Sequence, residues 1–232
     1  MSKRFSLGID LGTTNCAIAV TDLELDQSEV VELTQILGPN QIGERATLPS
    51  ALYIPHPDQF PENSFPLPWE KEAQDATIIG HFAREHGALI PDRLVTSAKS
   101  WLSNAHIDPR HRSLPWRSEI QEEKLSPFEC SRRYLAHLKD AFLYAGRMQE
   151  RNWDLSESEI VLTVPASFDA VARNLTAEAA EAAGLDKVTL LEEPQAAFYA
   201  WIAQAGREWR SLVEPGDIVL VCDVGGEPLI SA

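Results

Sequence analysis

Two β-like runs, Phe5–Asp10 and Cys16–Thr21, flank the short polar stretch Leu11-Gly12-Thr13-Thr14-Asn15. So short a connection predicts an antiparallel hairpin, because parallel neighbours need a much longer crossover. The second half of the chain then alternates strand and helix. Glu159–Val164 reads as a β-branched strand that stops at Pro165. Asp169 caps a predicted helix with Val171, Leu175 and Ala182 inward, ending at Gly184. Val188–Leu191 reads as a short strand, Pro194 starts a helix through about Ala205, and Ile218–Cys222 reads as a last strand. Such alternation predicts an α/β layer architecture, and the opening hairpin makes the sheet mixed.

The segment between these halves is less regular. Thr47–Ile54 is a strand candidate. Residues 55–72 carry Pro55, Pro57, Pro61, Pro66 and Pro68, which excludes a helix there. Asp92 is expected to cap a helix through Leu102, with Val95, Ala98 and Leu102 on one face. Residues 106–123 read as irregular, and Arg110, His111, Arg112 and Arg117 as a solvated loop. Ser126-Pro127-Phe128-Glu129 is a capping box with proline at the first helical position. It opens a helix that carries Leu135, Leu138, Phe142 and Ala145 on one face.

At 232 residues and 44% hydrophobic content the chain can bury a substantial core. Its 20 basic and 35 acidic residues leave a net charge of −15, which repels nucleic acid and anionic membranes. A phosphate ligand would need local help from backbone N–H groups, a lysine or a metal. Cys16, Cys130 and Cys222 make no CxxC pair and an odd count, so neither a zinc site nor a disulfide framework is expected. Cys16 and Cys222 lie in apolar runs and read as small buried hydrophobes. Asp10 interrupts the first apolar stretch too early for a signal peptide, and no run approaches the ~20 apolar residues of a membrane helix. The expectation is a cytoplasmic protein.

Three stretches have chemical potential. In Gly8-Ile9-Asp10-Leu11-Gly12-Thr13-Thr14-Asn15, a tight turn with two hydroxyls can aim donors at a phosphate. Asp10 at the strand end suits a hydrated Mg²⁺. A plain polar hairpin turn accounts for the same letters, and no GxxxxGK[ST] loop occurs. Ile218–Gly226 repeats the logic with an apolar strand, Asp223, Gly225 and Gly226. Glu192 and Glu193, at a strand-to-helix junction, read either as metal or water ligands or as first-turn acids that complement the helix dipole.

Taken together, these motifs resemble the 70-kilodalton heat-shock chaperones (DnaK-like proteins). Gly8–Asn15 is similar to that family's first phosphate motif, and Ser97-Ala98-Lys99 with Trp101-Leu102 to its catalytic lysine helix. Val164-Pro165-Ala166, Phe168, Arg173, Ala183-Gly184-Leu185 and Glu193-Pro194 with Ala196-Ala197 resemble its connecting segment. Asp223-Val224-Gly225-Gly226 begins its second phosphate motif. The resemblance implies lobe I of an actin-like ATPase (ribonuclease H-like) α/β fold, a mixed central sheet with flanking helices. It implies a central subdomain of about 1–47 and 125–210, an inserted small subdomain of about 48–124, and 217–232 as the first strand of a truncated lobe II.

By the same resemblance the ligands are ATP or ADP with Mg²⁺. Asp10 and Asp223 would orient the hydrated metal, and Gly12, Thr13, Thr14, Asn15, Gly225 and Gly226 would line the phosphates. Lys99 would position the attacking water, and Glu193 would organise the metal's water shell. Pro165 and Arg173 would relay nucleotide state to a peptide-binding domain. Co-chaperones and unfolded peptides are the implied partners of the full-length parent. Two alternatives from other classes are a non-catalytic interaction module and an actin-like small-molecule kinase.

The sequence departs from the family pattern at several points. Ser167 replaces a usual aromatic and Glu192 a usual Asn. After Gly226 come Glu227 and Pro228, one adding negative charge and the other lacking an N–H. The expectation is therefore a shortened form that keeps lobe I, binds nucleotide weakly or is inactive alone, and self-associates through an exposed last strand.

Overall fold

The computed structural model describes residues 3–70, 77–119 and 124–222. The chain opens with β1 (Phe5–Leu11), β2 (Asn15–Asp22), β3 (Gln27–Val30), the hairpin β4 (Leu33–Gly38) and β5 (Gln41–Arg45), and the short β6 (Leu48–Pro49). There follow β7 (Ala51–Tyr53), β8 (Ile78–Ile79), helix α1 (His81–Gly87), β9 (Leu94–Thr96) and the single-turn α2 (Ala98–Trp101). The long α3 (Pro127–Met148) leads to β10 (Ser158–Val164), α4 (Ala170–Ala182), β11 (Thr189–Glu192), α5 (Glu193–Ala205) and α6 (Trp209–Leu212).

The central sheet runs β11-β10-β1-β2-β3, with β6 also paired to β2. β1 and β2 pair antiparallel, whereas β1–β10 and β10–β11 are parallel, so the sheet is mixed as the opening hairpin required. Helix α4 makes the crossover that two parallel neighbours need. Along β1, Phe5, Leu7, Ile9 and Leu11 are buried, while Gly8 and Asp10 face the open side. That period of two is the reason Asp10 can be both part of the central strand and available to solvent.

Helix α3 supplies the main cover. Ser126 accepts a hydrogen bond from the Glu129 backbone N–H and Pro127 occupies the first turn. The Glu129 carboxylate does not reach back to close the capping box; it takes Arg132 and Arg133. Leu135, Leu138, Phe142 and Ala145 pack with Leu7, Ile9 and Leu11 in one core. Each such fully buried Leu or Phe stabilises by about 2 kcal/mol.

A second, smaller core joins Ile36, Ala51, Tyr53, Leu67, Ile78 and Ala83. Around it stand β8-β7-β9 and α1. The proline-rich segment is irregular, as expected, but contributes packing: the Phe60 and Phe65 rings meet edge to face with centroids 4.8 Å apart.

Several expectations are corrected. The predicted helix from Asp92 to Leu102 is instead a 3₁₀ turn, then β9, then α2. β9 pairs with β7, Val95 opposite Leu52, so a tertiary pairing overrides the helical spacing. The strand expected over Thr47–Ile54 is split at Ser50 into β6 and β7, which join different sheets. Val171 is exposed, because the inner face of α4 falls on Ala172, Leu175, Thr176, Ala179 and Ala180. Residues 217–222 form no strand; Ile218 and Leu220 stand in solvent and Cys222 is exposed rather than buried. A strand needs an edge to pair with, and none of the described strands pairs with this segment. Among the described residues no helix is long and apolar enough to cross a membrane.

Candidate functional site

The turn that joins β1 to β2 is built by close packing of its own backbone. Leu11 and Cys16 form the last pair of the hairpin. A Cβ added at Gly12 would lie 2.1 Å from the Asn15 carbonyl oxygen, so only glycine fits this corner. Gly12→Ala is expected to lower stability by about 2 kcal/mol, since the obstacle is backbone and cannot rotate away. Urea denaturation checks this, and an unchanged midpoint would contradict the steric reading.

The turn is also held from below. Ser50, at the break between β6 and β7, is only 4% exposed. Its hydroxyl lies 2.6 Å from the Gly12 carbonyl oxygen and its N–H donates to the Thr14 carbonyl at 2.9 Å. The Cys16 sulfur lies 3.2 Å from the same hydroxyl. From the side, the Arg84 guanidinium on α1 donates to Asn15 Oδ1 at 3.4 Å. Thr13 is half-buried and Thr14 exposed.

Asp10 stands on the outward face of β1, next to Gly8, whose missing side chain leaves open space. The parallel register puts Thr163 of β10 opposite Asp10, and the Thr163 hydroxyl donates to Asp10 Oδ1 at 2.8 Å. Thr163 was not singled out by sequence reasoning; only the strand register reveals it.

Lys99 is brought in by α2, which begins at Ser97 in a left-handed conformation with φ 55°. The Lys99 side chain is 5% exposed and its ammonium is ion-paired with Glu193 in the first turn of α5. The Cys16 thiol senses both charges: burial pushes its pKa up to about 12, with Asp10 raising it and Lys99 lowering it. Cys16, at the end of the turn, is thus within electrostatic reach of both Asp10 and Lys99, and Glu193 is the ion partner of Lys99. The adjacent Glu192 accepts from Arg173 of α4 at 3.2 Å. The acid pair at this junction does more than complement a helix dipole, because each carboxylate holds its own cation. Pro165 follows β10 and its carbonyl closes a turn with the Phe168 N–H at 3.1 Å. Asp223, Gly225 and Gly226 lie outside the described residues.

The donor set constrains the ligand. Among the described residues no group of three His, Cys, Asp or Glu side chains could cage a metal ion. A single outward carboxylate beside a hydroxyl-rich turn fits Mg²⁺ held through water and phosphate oxygens, the mode this small, reluctantly dehydrated ion prefers. Two cations stand near this turn: Arg84, bonded to Asn15, and the buried Lys99, paired with Glu193. A cavity of about 900 Å³ lies elsewhere, between the proline-rich segment and α3, and shares none of these residues.

A family model described as Hsp70 protein matches residues 6–229. The chaperone protein HscA homolog of Pasteurella multocida (strain Pm70) is 29% identical over 240 residues, covering 96% of this chain and 31% of that protein. The chaperone protein HscA homolog of Actinobacillus pleuropneumoniae serotype 5b (strain L20) is 32% identical over 235 residues, with 96% and 31% covered. The chaperone protein HscA of Salmonella arizonae is 28% identical over 229 residues, covering 97% of this chain and 31% of its own. The chain thus spans about a third of the length of the curated relatives it matches.

Proposed function

Because this chain belongs to the Hsp70 protein family, and its mixed sheet with flanking helices is that of an actin-like ATPase, we propose that it forms one jaw of the MgATP site of an ATP-dependent chaperone. The single observation that carries this reading is that the buried Lys99, paired with Glu193 across 94 positions, lies within electrostatic reach of Cys16, the residue that closes the Gly12–Asn15 turn and also senses Asp10.

In this reading Asp10 orients the hydrated metal, with Thr163 fixing the direction of its carboxylate. Gly12 lets the backbone approach the phosphates, and Thr13, Thr14 and Asn15 donate to them. Lys99 positions the attacking water and stabilises charge, and Glu193 holds both Lys99 and the metal's water shell. When bound, Mg²⁺ neutralises phosphate charge; the protein contributes position and electrostatics, which is where phosphoryl-transfer catalysis resides. In the same reading Asp223 shares the metal with Asp10, and Gly225 and Gly226 line the phosphates. The small sheet β8-β7-β9 with its flanking segments is the inserted subdomain of about 48–124, and 1–47 with 125–210 the central one.

Arg173 and Pro165 relay the state of the site. The support for this is the Arg173–Glu192 pair, which ties α4 to the residue just before Glu193. Glu192, where the family has another residue, thereby acquires a place in the relay. Peptide clients and co-chaperones are engaged through the part of the longer relatives that this chain does not match. The absence of a membrane-crossing helix among the described residues is compatible with a cytoplasmic location.

Titration calorimetry of MgATP into the chain, with Asp10→Ala beside it, tests the reading. Binding is expected to weaken at least about tenfold in the variant, the effect of losing a hydrogen bond to a charged group. Heat that is identical in the two proteins would remove Asp10 from the site and the reading with it.

A further inference from the structure

We propose that Ser50 is the positioning residue of the Gly12–Asn15 turn: its hydroxyl and its backbone N–H together set the direction in which the turn's amides point. The consequence for ligand affinity rests on the phosphate reading above; the effect on the turn does not.

The first step concerns a single proton. A carbonyl oxygen can only accept, so the Ser50 hydroxyl, 2.6 Å from the Gly12 oxygen, must donate to it. That proton is then committed, and the 3.2 Å contact between Ser50 and Cys16 has the Cys16 S–H as its donor. Burial keeps Cys16 in its thiol form, with a pKa pushed up to about 12, so the donor is present throughout the physiological range. The result is a directed chain from the Cys16 S–H through the Ser50 O–H to the Gly12 carbonyl.

The second step concerns the peptide plane. The C=O of Gly12 and the N–H of Thr13 belong to one planar trans unit and point in opposite directions. Ser50 lies beneath the turn and is nearly inaccessible. Pulling the Gly12 carbonyl down onto Ser50 therefore turns the Thr13 N–H outward. Two residues on, the Ser50 N–H takes the Thr14 carbonyl at 2.9 Å, so the same residue grips the turn twice and prevents the intervening peptide from flipping. An amide that is already aimed binds an anion without first losing rotational freedom.

Ser50 can do this because of where the chain breaks. Leu48–Pro49 pairs with β2 at Asn15 and Cys16, and Ala51–Tyr53 leaves for the small sheet. Ser50, between them, has no strand partner and is free to serve the turn with both its N–H and its side chain. Its two neighbours lie in different sheets, so the grip also joins the small sheet to the phosphate turn.

The test uses the whole chain with Ser50→Ala, Ser50→Cys and Ser50→Thr. Amide hydrogen exchange at residue 50, whose N–H holds the Thr14 carbonyl, followed by NMR without ligand and corrected for the intrinsic rate of each side chain, reads the grip directly, with Leu7 and Ile9 of β1 as internal references. Exchange at the residue 50 amide is expected to rise about tenfold in Ser50→Ala while the references stay unchanged, and Ser50→Thr, which keeps a hydroxyl, is expected to restore the parent rate. Magnesium tripolyphosphate affinity is expected to fall by about the same factor in Ser50→Ala. Should Ser50→Ala not fold, Ser50→Cys carries the same comparison, because its S–H is a weak donor. Unchanged exchange at residue 50 in a folded variant that lacks the hydroxyl overturns the proposal. If the parent binds neither magnesium tripolyphosphate nor MgATP, the phosphate reading fails, and the exchange rates still decide what Ser50 does to the turn.

Discussion

Glu193→Ala is expected to destabilise the fold by about 3 kcal/mol, whereas Lys99→Met costs well under half of that. The asymmetry follows from burial. The Lys99 side chain is 5% exposed and Glu193 27%, so removing the carboxylate leaves a desolvated ammonium without its counter-charge. Removing the ammonium leaves a carboxylate that keeps part of its water and sits in the first turn of α5, where the helix dipole favours negative charge. Methionine also fills the volume of the lysine stem among the buried residues of α2. The pair joins α2 to α5 across 94 positions, so its loss loosens the junction and not only one contact. Urea denaturation of both single variants and of the double variant measures this. The double variant is expected to resemble Lys99→Met alone, because once the ammonium is gone the carboxylate has no buried partner to compensate. Equal losses in the two single variants would show that the ammonium is not desolvated and would sink the argument.

Acid is expected to remove about 3 kcal/mol of stability through His137 alone as the pH falls from 6.5 to about 4. His137 lies on the inner face of α3, 5% exposed, with Nε2 3.0 Å from the Thr34 carbonyl. The edge of this environment is apolar: the Trp69 ring stands at 5.3 Å in a T-shaped contact. Burial pulls the ring's pKa from 6.5 down to about 4, and the bond to Thr34 offsets only part of that. In the unfolded chain the same ring protonates near 6.5. Between these values the unfolded state binds more protons, so stability falls as pH falls; above 6.5 the full contribution is present, and below 4 it is gone. Burial raises the Glu129 carboxyl, but Arg132 and Arg133 together outweigh it and hold the pKa below the usual value, so Glu129 loses its own contribution only at the acid end of this window and the two effects are separable. Denaturation midpoints at pH 7.5, 6, 5 and 4.5, compared with His137→Gln, isolate the histidine. Glutamine keeps a donor for Thr34 and does not titrate. Parallel pH profiles for the two proteins would mean that His137 is not the group responsible.

Much of this molecule was legible along the chain. The hairpin of β1 and β2, the capped start of α3, the cap of α4 by Asp169 and the start of α5 near Pro194 all depend on residues within a few positions of one another. Asp10, Gly12, Thr13 and Thr14 fall within five positions, so their clustering needed no fold to be visible. The failures share one cause. Residues 92–102 carry a helical spacing, but Val95 finds a strand partner in Leu52, and the cross-strand pairing wins. Residues 218–222 carry a strand's composition without a described strand beside them.

The contacts that assemble the site belong to the same second class. Ser50 reaches Gly12 across 38 positions, Lys99 reaches Glu193 across 94, and Thr163 reaches Asp10 across 153. The sequence by itself determined the local pieces: which runs extend, which coil, where each helix starts, and that one short turn has the glycine and hydroxyls to face an anion. Only the tertiary structure decided which carboxylate answers Lys99, which hydroxyl steadies Asp10 and which serine grips the turn. Local structure follows from steric and hydrogen-bond preferences among near neighbours, whereas these partners are set by strand register and helix packing, which no single segment contains.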